Sequence, residues 1–133
     1  MSKPVYFVGG GKGGVGKSLV AIALTDYLVH RQGEAVLVLE TDTSNPDVAP
    51  CFEQTPGVRV ELANLDVDDG WMRFANLCEQ HADATVVVNT AARNHEGIHE
   101  HGPILTVALE ELGREFIVLW VICLLYTSDA ADE

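Results

Sequence analysis

Gly11-Lys12-Gly13-Gly14-Val15-Gly16-Lys17-Ser18 is the stretch on which the fold of this chain turns. A polyphosphate tail carries several negative charges, and a protein holds it best where backbone N–H groups converge on one point. Gly13, Gly14 and Gly16 can take the positive φ angles that such a nest requires, and Val15 is the only side chain among them. Lys17 can then reach the β and γ phosphates, and the Ser18 hydroxyl can ligate Mg²⁺. A helix starting at this point aims its dipole at the same charge. Gly11 completes the eight-residue pattern. A dinucleotide-binding fingerprint is the competing explanation, since Gly9-Gly10-Gly11-Lys12-Gly13-Gly14 superficially satisfies GxGxxG and Glu40 stands where a ribose-binding acid belongs. It leaves Gly16-Lys17-Ser18 without a purpose.

Outward from this loop the chain alternates buried strands and helices. Val5-Tyr6-Phe7-Val8 is a short apolar run that ends at glycines, as expected of a strand buried in a parallel sheet. From Lys17 the spacing of Leu19, Val20, Ile22, Leu24, Tyr27 and Leu28 predicts a helix stopped by Gly33. Ala35 to Glu40 forms a second buried strand, followed by the polar loop Thr41-Asp42-Thr43-Ser44-Asn45-Pro46-Asp47. Such a crossover is right-handed, so this loop opens on the same sheet edge as the phosphate loop. Residues 48 to 65 are hard to read. Val58 to Leu62 alternates like an edge strand, but an irregular segment fits equally well. Asp66 or Asp68 is positioned to cap a helix running through Cys78, Ala84 to Asn89 is a third strand, Ile104 to Leu112 a helix, and Phe116 to Val121 a fourth strand. The expected fold is a doubly wound parallel α/β sheet of the P-loop type, with about four strands.

Composition agrees with one such domain. The 133 residues are 47% apolar, and 20 acids against 8 bases leave a net charge of -12, which opposes nucleic acid and anionic membrane. Neither a signal peptide nor an apolar run of membrane-spanning length is present in the sequence, and the three cysteines Cys51, Cys78 and Cys123 lack CxxC spacing, so a reducing cytoplasm is expected. Residues 123–133 resemble the translation of a transposase-type sequencing adapter. They are expected to be a foreign tail, and residues 1–122 the N-terminal part of a longer nucleotide-binding domain.

The segment Lys12 to Ser18 resembles the deviant phosphate loop of the family that includes the ParA and MinD partition ATPases, the nitrogenase iron protein and the arsenite-pump ATPase. The resemblance extends through the strand order and two further loops to about residue 122. It implies an ATP- and Mg²⁺-dependent switch that works as a homodimer when complete and serves partition, positioning or conjugation machinery; the residues alone do not separate ATP from GTP. Lys12 corresponds to the signature lysine supplied across the dimer to the partner's phosphates, where it stabilises charge on the transferred group. Glu40-Thr41-Asp42 corresponds to the first switch, usually Asp-x-Asp. Asp42 is then the residue that orients the attacking water and Glu40 an acid near Mg²⁺. Asn89-Thr90-Ala91 stands where the family has Asp-Thr-Pro, so a neutral amide replaces an acid of the magnesium sphere, which bears on hydrolysis more than on binding.

Two other functions share this scaffold: a nucleotide-sensing module that does not hydrolyse, and an ATP-dependent biosynthetic synthetase. No DNA or membrane partner is readable in these residues. His95, His99 and His101, with Glu96 and Glu100, have spacing that invites a metal, but a polar loop in the second switch region accounts for them. Cys51 and Cys78 are not expected to hold the iron–sulfur cluster of one family member.

Overall fold

The computed structural model describes residues 3–10, 16–91 and 94–122, with the His95 side chain left out. The order is β1 (Val5–Gly10), α1 (Lys17–His30), β2 (Val36–Glu40), α2 (Ala49–Phe52), β3 (Val58–Leu62), α3 (Asp68–Gln80), β4 (Thr85–Asn89), α4 (His95–Glu111) and β5 (Phe116–Val121). The strands form one parallel sheet in the order β3-β2-β4-β1-β5. Because β2 and β4 are fully buried, their sequences are continuous apolar runs instead of alternating ones.

Each sheet face has its own core. On one, Phe7, Leu39 and Val88 pack against Trp71, Phe74 and Leu77 of α3 and Leu105 and Leu109 of α4. On the other, Val8, Val38 and Val87 pack against Ala21 and Leu28 of α1 and Phe52 of α2. Gly33 and Gly113, at φ 66° and 71°, lie past the ends of α1 and α4 in the left-handed conformation that stops a helix.

Three expectations require correction. The N-cap of α3 is Val67, with no side-chain cap bond, and not Asp66 or Asp68. The sheet has five strands among the described residues, because Val58 to Leu62 pairs in parallel with β2 along its whole length. Its outer edge carries the ion pairs of Arg59 and Arg73 with Glu61, at 3.0 and 2.7 Å, and an edge half open to water has only a weak apolar pattern to announce it. Helix α4 begins at His95 instead of Ile104. Gly97, Gly102 and Pro103 lower the intrinsic helix propensity of this stretch, but tertiary packing overrides it. Ile98 packs on the core, and a Cβ at Gly97 would lie 2.8 Å from the Leu65 carbonyl oxygen and 3.1 Å from the Trp71 indole nitrogen. The histidines are therefore helical: His99 is exposed, and His101 pairs with Asp68 at 3.1 Å and stacks on Trp71.

Candidate nucleotide site

Parallel pairing sets the ends of β2, β4 and β1 side by side, with Glu40 in register with Asn89 and Asn89 in register with Val8. The loops after β2 and β4 leave from one edge of the sheet, and α1 starts at the same edge. Gly16 occupies the N-cap of α1 at φ 100°, a conformation that only glycine adopts without strain. Gly11, Lys12, Gly13, Gly14 and Val15 lie outside the described residues, so the phosphate nest and the signature lysine remain expectations. Lys17 and Ser18 occupy the first turn of α1, and Lys17 is buried, with 8% of its surface exposed. Burial pushes its ammonium below the ordinary lysine pKa while the Asp42 carboxylate acts in the opposite direction. The electrostatic link brings together two residues that sequence alone assigned to different loops.

Glu40 is wholly buried and its carboxylate is crowded with donors. Oε1 accepts from the backbone N–H groups of Val48 and Ala49, at 2.9 and 3.4 Å. Oε2 accepts from the Asn89 side-chain amide at 2.8 Å and from the Asp42 backbone N–H at 3.3 Å. Glu40 thus closes the loop after β2 onto itself and clamps it to β4. Asp42 is partly exposed, and its Oδ1 accepts from the Ser44 hydroxyl and the Asn45 backbone at 3.1 and 3.2 Å.

Whether these residues suit Mg²⁺ can be judged at Asn89. Its amide nitrogen is committed to Glu40, while Oδ1 is buried and has no hydrogen-bond partner among the described residues. A buried carbonyl oxygen left unpaired is costly, and a water of a hydrated cation would satisfy it. The Ser18 hydroxyl and the Asp42 carboxylate are hard oxygens as well, as Mg²⁺ prefers. The group fits.

Sequence reading missed Thr41, Thr90 and Asn94. Thr41 is buried, and its backbone N–H and hydroxyl both donate to the Asn89 carbonyl, at 3.0 and 2.8 Å. The Thr90 hydroxyl donates to the Val8 carbonyl at 2.8 Å, tying the loop after β4 to the strand that feeds the phosphate loop. Asn94 contacts Thr41, Ala91 and Asp66. Thr41 and Thr90 lie inside the two switch motifs, but nothing local marks their bonds, nor those of Asn94 to Thr41 and Asp66, because these partners lie far away along the chain. The two described cysteines do not converge: Cys78 is buried in the α3 core, and Cys51 is exposed on α2, across the sheet.

This geometry agrees with what sequence comparison finds. The profile of the ParA family, described as "NUBPL iron-transfer P-loop NTPase", matches residues 2–116. The chain belongs to the ParA family. This ParA-family chain is 50% identical over 122 residues to "Protein MobD" of Acidithiobacillus ferrooxidans. The match takes in 92% of the chain and 52% of MobD, so the chain spans about half the length of this curated relative. Among solved structures it resembles the Mycobacterium tuberculosis APS kinase CysC in complex with AMPPNP and APS. The TM-score is 0.56 at 18% identity, covering 98% of this chain and 68% of that one, a likeness of fold. ParA-family membership and the P-loop fold make the chain a nucleotide-binding protein. Among the described residues no helix is long and apolar enough to cross a membrane.

Proposed function

We propose that this ParA-family protein is an ATP-hydrolysing, Mg²⁺-dependent dimerisation switch of the conjugation-accessory type, the last term resting on its 50% identity to MobD. The observation that carries the proposal is that β2 and β4 end in register at one sheet edge, with Asp42 within electrostatic reach of Lys17 and Asn89 Oδ1 buried without a hydrogen-bond partner among the described residues. Lys17 and the backbone nest hold the β and γ phosphates. Asp42 orients a water molecule in line with the γ-phosphorus. The water oxygen bonds to phosphorus, the bond to the β–γ bridging oxygen breaks, and ADP, phosphate and the water's proton leave. Lys12, contributed across a dimer, balances charge on the transferred oxygens. Ser18, Asp42 and Asn89 would hold Mg²⁺, which would supply positive charge against that of the phosphates. Glu40, saturated by protein donors, acts on that sphere through Asn89.

A non-hydrolysing sensor is the second possibility, favoured by the neutral Asn89 and the sequestered Glu40. Turnover and sedimentation of the complete protein, with and without ATP, separate the two. Lys17→Ala should weaken ATP binding about 100-fold or more, the value of one strong charge-assisted contact. Lys12→Ala should retain ATP affinity while lowering turnover and dimerisation together. Asp42→Ala should trap an ATP-bound dimer. Equal turnover in the parent, Lys12→Ala and Asp42→Ala proteins would leave the sensor as the better account.

A further inference from the structure

We propose that Asn94 is a positioning residue that couples the loops after β2 and β4, making them and the start of α4 respond to nucleotide as one unit; this presupposes the nucleotide switch proposed above. Asn94 is 1% exposed, and its amide is used on both sides. Oδ1 accepts from the Ala91 backbone N–H at 2.9 Å and, at 3.1 Å, shares the single Thr41 hydroxyl proton with the nearer Asn89 carbonyl, while Nδ2 donates to Asp66 Oδ1 at 2.9 Å. One side chain therefore joins the loops leaving β2, β3 and β4.

The residue's place in the chain gives this arrangement its meaning. Asn94 is the N-cap of α4, where an asparagine normally turns its side chain onto the helix's own free N–H groups. Here it makes no such cap bond and reaches back to the loops. The ordinary stabilising role is forgone in favour of a contact between loops. On the other side of that contact, Thr41 lies between Glu40, which clamps Asn89, and Asp42, whose carboxylate acts electrostatically on Lys17. A movement of Asp42 toward a γ-phosphate must displace Thr41, and Thr41 is held by the Asn89 carbonyl and the Asn94 amide together. The displacement passes to Ala91 and to the first turn of α4, which also rests through Gly97 on the Leu65 carbonyl beside Asp66. Thr41, Asn89, Ala91 and Asn94 form a contiguous buried polar chain that ends on the exposed Asp66, the kind of element that shifts between discrete arrangements.

The polarity of the Asn94–Asp66 bond supplies a test that a purely structural role would fail. The complete protein would be prepared as parent, Asn94→Ala, Asn94→Asp, and Asn94→Asp combined with Asp66→Asn. ATP affinity, turnover and hydrogen exchange of peptides covering 41–48 and 94–101 would be measured with and without Mg²⁺ and a non-hydrolysable ATP analogue. In the parent both segments should gain protection. Asn94→Ala should keep ATP affinity within about threefold, lose about tenfold or more in turnover, and leave 41–48 protected without 94–101. Asn94→Asp should fail similarly by facing the Asp66 carboxylate, and the added Asp66→Asn should restore turnover and joint protection because donor and acceptor have changed places. Parental turnover and protection in Asn94→Ala, even at a lower melting temperature, would overturn the coupling alone. A parent with no nucleotide-dependent protection in either segment would overturn the switch function and the coupling with it.

Discussion

At the scale of single residues, the departures from the family pattern at positions 40 and 89 belong together. A glutamate reaches one methylene further than the usual aspartate, and its carboxylate meets the Asn89 amide nitrogen at 2.8 Å. Position 89 must therefore donate a hydrogen bond. Asn89→Asp, which would add charge to the magnesium sphere, should destabilise the fold. The substitution would set two buried carboxylates against each other, costing about 2–3 kcal/mol in a charged hydrogen bond lost, before repulsion is counted. Denaturant unfolding should record the loss, and adding Glu40→Gln, which supplies a donor, should recover much of it. Cys78 offers a pH test. Burial pushes its thiol up to about 11, with Arg114 opposing. A folded-state pKa above the unfolded one stabilises fully below the unfolded pKa and is lost as pH rises through the folded value. Stability should thus fall by about 2–3 kcal/mol between about pH 9 and pH 11 on this account. Cys78→Ala should flatten that part of the pH–stability curve. An unchanged slope would refute the assignment.

At the scale of elements, the two helices on one face are seated by glycines. A Cβ at Gly70 would stand 1.7 Å from the Asn64 carbonyl oxygen, and one at Gly97 would stand 2.8 Å from that of Leu65. The first turns of α3 and α4 therefore approach the same short loop from two sides, which fixes the loop that carries Asp66. Gly70→Ala should cost at or above the upper end of about 1–3 kcal/mol, since backbone atoms cannot step aside, and Gly97→Ala should cost less. Thermal unfolding of both variants also tests the extent of α4. Were residues 95–103 a loop, Gly97→Ala would be nearly neutral.

Across the whole molecule, the two ends of the sheet have different duties. The edge formed by the strand C-termini carries the proposed nucleotide site. The opposite edge is closed by Arg114, which is 3% exposed and donates to the carbonyls of Lys3, Cys78, His81 and Ala84. One guanidinium thereby joins the segment entering β1, the end of α3 and the turn into β4. Its planar array of donors suits several carbonyls at once, which lysine's compact ammonium does not. Arg114→Met should lower stability by about 3 kcal/mol, leaving buried carbonyls without donors, while ATP affinity in the folded protein stays unchanged. A variant that unfolds normally but has lost ATP affinity would contradict this division between the edges.

The sequence by itself determined the strand–loop–helix unit at the phosphate site, the parallel doubly wound sheet and the ParA family. Each rests on local requirements: glycines where φ is positive, and unbroken apolar runs where strands are covered on both faces. The candidate roles of Lys17, Asp42 and Asn89 came instead from the phosphate-loop motif and the resemblance to the family's switch loops, and they stand as proposals. Only the tertiary structure decided that Val58 to Leu62 is an edge strand, that α4 starts at His95, and that Glu40 holds Asn89. These outcomes depend on partners far away along the chain: Glu40 is 49 residues from Asn89, and Asn94 is 53 from Thr41 and 28 from Asp66. A buried amide or carboxylate becomes favourable only when such partners arrive together, and no single segment encodes that meeting.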